Sequence, residues 1–319
     1  LRSSSAASDV YKRQNVYYLL LAFTFFSCER IIPFSPEDTD PKITIYALTS
    51  VEAYGTGFGA MTDSVYSQPI DAALSQSISI LDNSNPTPLN SAAIWVVDLN
   101  TLQIDTLIST NMDQGFFRSP NMQVKEGHSY NFHAKYGTLD SVFASSEVPA
   151  VPQNIVINPL DTNTGNSSGG PGSGEEKPYI SFDIEINDDG APGYYMIQAY
   201  ERLVNTITVP EDMMYMESDD PSITSSGDRW GGDMSLYVSN NLFLGEKRIF
   251  NLKVIGYPEP DMQKVFKIVK MDNDYYNYLS SFDLYQSSGG PFSQPVTVYS
   301  NVTNGLGLVS GTSALWIAP

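Results

Sequence analysis

The chain has 319 residues, of which 17 are Lys or Arg and 36 are Asp or Glu, for a formal charge of −19. That balance argues against recognition of nucleic acid, which needs clustered Lys and Arg, and against a basic patch on anionic lipid. A single cysteine excludes a disulfide within the chain, so a fold of this length must rest on apolar cores.

Residues 9–14, Asp-Val-Tyr-Lys-Arg-Gln, resemble the translation of a transposon adapter used in sequencing libraries. Residues 1–14 are therefore set aside as an artefact. Residues 15–28 (NVYYLLLAFTFFSC) follow, with a run of about ten apolar residues where a bilayer crossing needs roughly 20. The run ends at Ser27, a small residue, and Cys28. This is the pattern of a lipoprotein signal peptide in which Cys28 is lipidated and becomes the mature N-terminus. Residues 29–41 hold three prolines among acids and read as an extended tether.

The rest is rich in Tyr (20), Phe (15), Val, Ile and Thr, a composition that favours strands. Residues 42–150 read as a first β-sandwich of the immunoglobulin or fibronectin III kind. Strands are expected at 43–48, 77–81, 92–98 and 102–108, the last two forming a hairpin through 99–101. Residues 115–117 form a short strand. In 124–136, Gly127 makes a turn and Tyr130, Phe132 and Ala134 share one face. That is the arrangement of a tyrosine corner, whose hydroxyl bonds the backbone across the turn. Residues 140–148 close this unit.

Residues 151–319 read as a second sandwich-like domain, giving two in tandem. Residues 161–177 (DTNTGNSSGGPGSGEEK) form a flexible loop. Ile180, Phe182, Ile184 and Ile186 alternate on one face. Asn187 to Gly190 is read as a turn into a partner strand at 194–200. An irregular acidic stretch follows at 206–230 and carries Met213, Met214, Tyr215, Met216 and Trp230. Strands are expected at 234–238, 247–257 and 265–271, one helix at 273–286 with Asp272 as its cap, and a strand at 295–299. Asn301 and Asn304 to Gly307 then read as a turn with positive φ at Gly305 and Gly307.

PKITIYAL, AAIWVVD, GHSYNFHAKYGTLDSVFASSEVP, DNDYYNYLSSF and the ending PFSQPVTVYSNVTNGLGLVSG, taken together behind Cys28, carry a resemblance. The chain resembles the Bacteroidota outer-membrane lipoproteins catalogued as domain of unknown function 4249, over residues 28–311. The SN-x-x-NGLG string is its most specific part. The chain departs after Gly307, with Leu-Val-Ser where the family usually has an aromatic residue. The resemblance implies an outer-membrane lipoprotein, facing the periplasm or the cell surface, with a TonB-dependent receptor as protein partner and no established enzymatic activity.

Candidate chemistry is thin. His128 and His133 are five apart on one strand and so lie on opposite faces, which argues against a metal pair. The acidic groups at 217–220 and 272–274 lack the Gly and closing Glu of a calcium loop. No nucleophile elbow, zinc-protease motif or phosphate loop is present. The reading is a non-enzymatic binding protein without cofactor or metal, with Met213, Met214, Tyr215, Met216, Trp230, Asn301 and Asn304 as its partner surface. The alternative is a carbohydrate-binding or adhesion lipoprotein, which an exposed aromatic cluster would favour.

Overall fold

The computed structural model describes residues 40–78, 84–111, 114–167, 177–204, 206–225, 235–256, 259–288 and 296–319. The expected artefact, the signal peptide with Cys28, nearly all of the tether, residues 168–176 of the loop, and Trp230 lie outside the described residues.

The chain is mainly β. The strands of the N-terminal half are β1 (Ile43–Tyr54), β2 (Ser64–Ser67), β3 (Pro69–Gln76), β4 (Thr87–Pro88), β5 (Ala93–Asp98), β6 (Ile104–Thr106), β7 (Ile108–Asn111), β8 (Phe116–Gln123), β9 (Ser129–Lys135) and β10 (Val142–Glu147). The C-terminal half contains β11 (Val156–Ser167), β12 (Lys177–Asn187), β13 (Tyr194–Leu203), β14 (Met213–Met214), β15 (Met216–Glu217), β16 (Ile223–Ser225), β17 (Leu236–Ser239), β18 (Lys247–Ile255), β19 (Met262–Met271), helix α1 (Asn273–Ser287) and β20 (Leu306–Ile317).

These strands form three sheets. The long one runs β16-β17-β13-β19-β20-β1-β3-β8-β7, with β14, β2 and β4 attached beside it. The other two have four strands each, β10-β9-β5-β6 and β11-β12-β18-β15. Side-chain alternation assigns the faces. On one face of the long sheet, Ile43, Ile45, Ala47 and Val309 meet Ile94, Val96, Tyr130, Phe132, Ala134 and Val142 of the first small sheet. Farther along, Tyr195, Ile197, Phe266, Ile268 and Ile317 meet Ile180, Phe182, Ile184, Phe250 and Leu252 of the second. Each fully buried Ile or Phe contributes roughly 1.5–3 kcal/mol relative to exposure. On the opposite face, Tyr275, Tyr276 and Leu279 of α1 pack on Val269, Met271 and Ala314.

The mainly β, sandwich-like expectation holds, and the two halves read as tandem sandwiches share a sheet. One sheet carries both of the cores that face the small sheets, because β20 returns from the far end of the chain and inserts between β1 and β19. Its pairing with β1 is parallel, from Thr44 opposite Leu306 to Tyr54 opposite Trp316. The turn before it is corrected. Gly307 has φ +116 and Asn304 has φ 60, whereas Gly305 is not at positive φ and is instead required by close packing. A Cβ on Gly305 would stand 2.6 Å from the Ile43 carbonyl oxygen.

Three local expectations also change. Tyr194 to Tyr200 does not pair with β12: β12 lies between β11 and β18, while β13 lies between β17 and β19. Residues 188–193 therefore cross between sheets. The expected 102–108 strand divides at Leu107, with β6 pairing β5 and β7 pairing β8 in the long sheet. Residues 296–299 form no strand; residues 79–81 of the strand expected at 77–81 lie outside the described residues. The tyrosine corner is present: buried Tyr130 accepts a hydrogen bond at its hydroxyl from the Lys125 N–H at 2.8 Å. The helix and its cap are present too, with the Asp272 carboxylate accepting from the Tyr275 N–H at 2.8 Å.

Candidate functional site

Met213 and Met214 form β14 on the edge of β13, and Met216 begins β15 beside β18. The segment thus leaves the long sheet and joins the second small sheet, strapping across the second core. Met216 is 1% exposed and belongs to that core, and Met214 packs against it. Tyr215 is half-buried and its carbonyl accepts from the Ile255 N–H. Met213 alone of the four is open to solvent.

Asn301 is half-buried, and its amide is engaged in holding the chain. Its Nδ2 donates to the Val309 carbonyl (2.7 Å) and to Asp274 (2.9 Å), and its Oδ1 accepts from the Val309 N–H (3.0 Å). Asn304 is exposed, and its Nδ2 reaches the Ser141 carbonyl at 3.4 Å. The structure places the methionine strap and the asparagine turn on separate elements.

The charged groups that are buried hold the architecture. Asp188 accepts from the Tyr195 hydroxyl (2.8 Å), Asn240 Nδ2 (2.8 Å) and the N–H groups of Gly190 (2.9 Å) and Gly245 (2.8 Å). Burial pushes this carboxyl up, but the four hydrogen bonds outweigh it and hold the group below the usual carboxylate range. Lys270, 1% exposed, pairs with Asp189 and lies 3.8 Å from Asp188. This cluster fixes the crossing at 188–193. Asp105, on the inner side of β6, accepts from Ser119 and Asn121 of β8 and so ties the first small sheet to the long one. Among the described residues, no group of three His, Cys, Asp or Glu side chains converges as a metal site would require.

The Asp98 end of the β5–β6 hairpin borders a polar cleft of ≈360 Å³, lined by Gln103, Ser119, Pro120, Asn121, Gln123 and Lys125 among others. Asp98 itself is committed to the turn. It accepts from the Asn100 and Thr101 N–H groups and lies 2.9 Å from His128 Nδ1. Burial raises this carboxyl, and the bonds from His128, Thr101 and Asn100 outweigh it and hold it low.

The outer face of the same small sheet carries a feature that no single stretch of sequence discloses. Cross-strand register sets Trp95 beside His133 and His133 beside Phe143. The Trp95 and His133 rings are parallel within 4°, with centroids 5.2 Å apart, and the Phe143 ring follows at 6.3 Å. Phe143 is 48% exposed, and Trp95 and His133 are partly exposed. Thr106 pairs with Trp95 at the other end of the row. The next row on this face is Ile104, Val97, Asn131 and Ser145, in which the Ser145 hydroxyl donates to Asn131 Oδ1 at 2.5 Å. The sequence alone sets His133 against His128 as a metal pair and does not bring it beside Trp95 or Phe143. Pairing three strands in register is what reveals the row.

A mainly β chain with these exposed faces is the class the structure defines. Residues 64–315 match the family model described as "Domain of unknown function (DUF4249)", and the chain belongs to that family. No curated protein matches it. Among solved structures it is similar to a DUF4785 family protein of Legionella pneumophila, at 9% identity over 73% of this chain and 54% of that one, with a TM-score of 0.25. The chain thus spans about half the length of that protein. It is also similar to the yeast delta-COP-I mu-homology domain, at 10% identity over 89% of this chain and 97% of that one, TM-score 0.20. The same domain in complex with a Dsl1 WxWxV peptide gives 10% identity and a TM-score of 0.21. Likenesses at this level carry no functional argument.

Proposed function

We propose that the protein is a lipid-anchored, non-enzymatic binding protein of the outer membrane, working as an accessory to a TonB-dependent receptor. The observation that carries this reading is the short apolar run ending at Cys28, followed by a proline-rich acidic tether and then the family domain. No helix among the described residues is long and apolar enough to cross a membrane. Membrane attachment through the Cys28 lipid is in keeping with that. The buried carboxylates are held by fixed structural partners, and the exposed features are surfaces suited to contact. Affinity purification of the native protein from detergent-solubilised outer membranes, followed by mass spectrometry, tests the reading. A TonB-dependent receptor should be enriched over an untagged control. Recovery of the protein without any receptor would contradict the accessory role.

A second reading, a carbohydrate-binding surface lipoprotein, is favoured by one observation, the exposed aromatic row Trp95–His133–Phe143.

A further inference from the structure

We infer that Arg202 and Trp316 are the donors of a buried site for a small carboxylic acid with an apolar body, bound as its monoanion. The inference goes beyond the membrane-anchored reading and does not depend on Cys28, on a receptor or on the aromatic row of the first small sheet.

Among the described residues, three buried side-chain polar atoms lack a hydrogen-bond partner: Arg202 Nε, Arg202 Nη1 and Trp316 Nε1. All three are donors, and all gather at one place. Trp316 belongs to a third apolar cluster with Tyr54, Phe58, Tyr200, Val265 and Ala318. Its ring lies 4.9 Å from that of Tyr200, and the Arg202 guanidinium lies over the Phe58 ring of the same cluster. Buried polar groups are ordinarily paired, and a donor left without an acceptor is costly. Departures from that rule are expected where a protein binds something. A set made only of donors matches a group that only accepts, and an ionised carboxylate is such a group.

Charge fixes the valence of the ligand. Lys267, whose Nζ lies 4.9 Å from the Trp316 ring centre, is neutralised by Glu52 at 2.7 Å. Arg202 meets only neutral oxygens, with Nη2 donating to the Gly57 carbonyl and lying 3.4 Å from Gln263 Oε1. One buried positive charge is thus uncompensated, and a monoanion balances it. The surrounding side chains are aromatic or aliphatic, so the body that carries the carboxylate is apolar as well.

Entry is by way of the loop that carries Phe58. In Gly55-Thr56-Gly57-Phe58-Gly59, Gly57 and Gly59 take φ +89 and +57. Phe58 is buried while Thr56, Gly57, Gly59 and Ala60 are exposed, so one side chain holds this stretch over Arg202. Lifting it uncovers the guanidinium.

The test is isothermal titration of the full-length protein in non-ionic detergent with phenylacetate, 3-phenylpropionate, 4-phenylbutyrate and hexanoate, each compared with its neutral amide. At least one acid should bind saturably, and its amide should bind at least tenfold more weakly. Arg202→Met should raise the dissociation constant of that acid tenfold or more, which corresponds to ~1.4 kcal/mol. Trp316→Phe, which keeps a ring and removes the N–H, should raise it by a smaller factor. Arg118→Met, at an exposed pair with Asp71, should leave it unchanged. Should Arg202→Met fail to fold, Trp316→Phe and the comparison of acid with amide decide. Absence of saturable binding by every acid, with water alone serving the three donors, would overturn the proposal. So would equal binding of acid and amide, or binding unchanged in both Arg202→Met and Trp316→Phe.

Discussion

Gly307 and Ile45 are register partners whose backbones approach so closely that a Cβ on the glycine would stand 1.9 Å from the Ile45 carbonyl oxygen. Gly307 also has φ +116, a region L side chains rarely adopt. Both effects act where β20 enters between β1 and β19, the junction that joins the two halves. Gly307→Ala should therefore cost roughly 3–4 kcal/mol, at the upper end for a point substitution. Urea unfolding checks this, and a loss under about 1 kcal/mol would mean that β20 can shift its register freely.

Asp188 and Lys270 give a second prediction. Asp188→Ala leaves the Tyr195 hydroxyl and two backbone N–H groups without this acceptor and the Asn240 amide with only the Ala191 carbonyl, beside a buried cation. The expected loss is about 3–5 kcal/mol. The pH dependence follows from the direction of the shift. The folded Asp188 carboxyl titrates below its unfolded value. Its stabilisation is thus fully present above the unfolded value and is lost as pH falls through the folded one. Asp98 and Asp220 are shifted in the same direction and add to this acid dependence. Thermal unfolding measured between neutral pH and pH 3 should show a falling midpoint, and the fall should be shallower in Asp98→Asn.

Tyr130→Phe removes one hydroxyl and keeps the buried ring. It should cost about 0.5–1.5 kcal/mol, the net worth of one hydrogen bond to the Lys125 N–H. Ligand or partner binding should be unchanged in the same variant, since the side chain is fully buried. Equilibrium unfolding and co-purification, run side by side, check both halves of this statement.

The methionine strap separates core from surface within four residues. Met216→Ala opens a cavity in the second core and should cost about 2–4 kcal/mol. Met213→Ala, at a position 37% exposed, should stay within about 0.5 kcal/mol of wild type. Equal losses at the two positions would contradict the assigned alternation.

Arg202 offers a test of what a buried charge contributes. Its residue is 4% exposed, its guanidinium lies over the Phe58 ring at 4.2 Å, and Nε and Nη1 lack hydrogen-bond partners among the described residues. Burial lowers its pKa. Arg202→Met keeps much of the volume and removes the desolvated donors, so stability should be unchanged or raised by about 1 kcal/mol. Chemical denaturation of this variant checks the sign.

Much of the strand pattern was legible because strict alternation on a half-buried sheet leaves little choice. Ile180, Phe182, Ile184 and Ile186 are all buried on one face, as are Tyr130, Phe132 and Ala134. The helix was legible through its cap at Asp272. The strand β20 was not, because Gly307, Ser310, Gly311 and Ser313 are small residues demanded by close backbone approach, and they dilute the apolar signal. A Cβ on Gly311 would stand 2.1 Å from the Glu147 carbonyl oxygen. Asn-Asp-Asp-Gly at 187–190 carries ordinary hairpin chemistry, and only the tertiary partners of Asp188 turn it into a crossing between sheets. The Trp95–His133–Phe143 row depends on the register of three strands, which composition and periodicity do not encode locally. Met216 was misplaced for a related reason. Its burial comes from pairing with β18, almost forty residues later.

The anchored state is tested most directly at Cys28. Cells expressing the protein from its own full-length gene are fed an alkyne fatty acid, and the label on wild type is compared with that on Cys28→Ala. The account predicts label on the wild-type protein, its loss in Cys28→Ala, and release of the variant from the outer-membrane fraction or its retention as an uncleaved precursor. Undiminished labelling and unchanged membrane association in Cys28→Ala would contradict it.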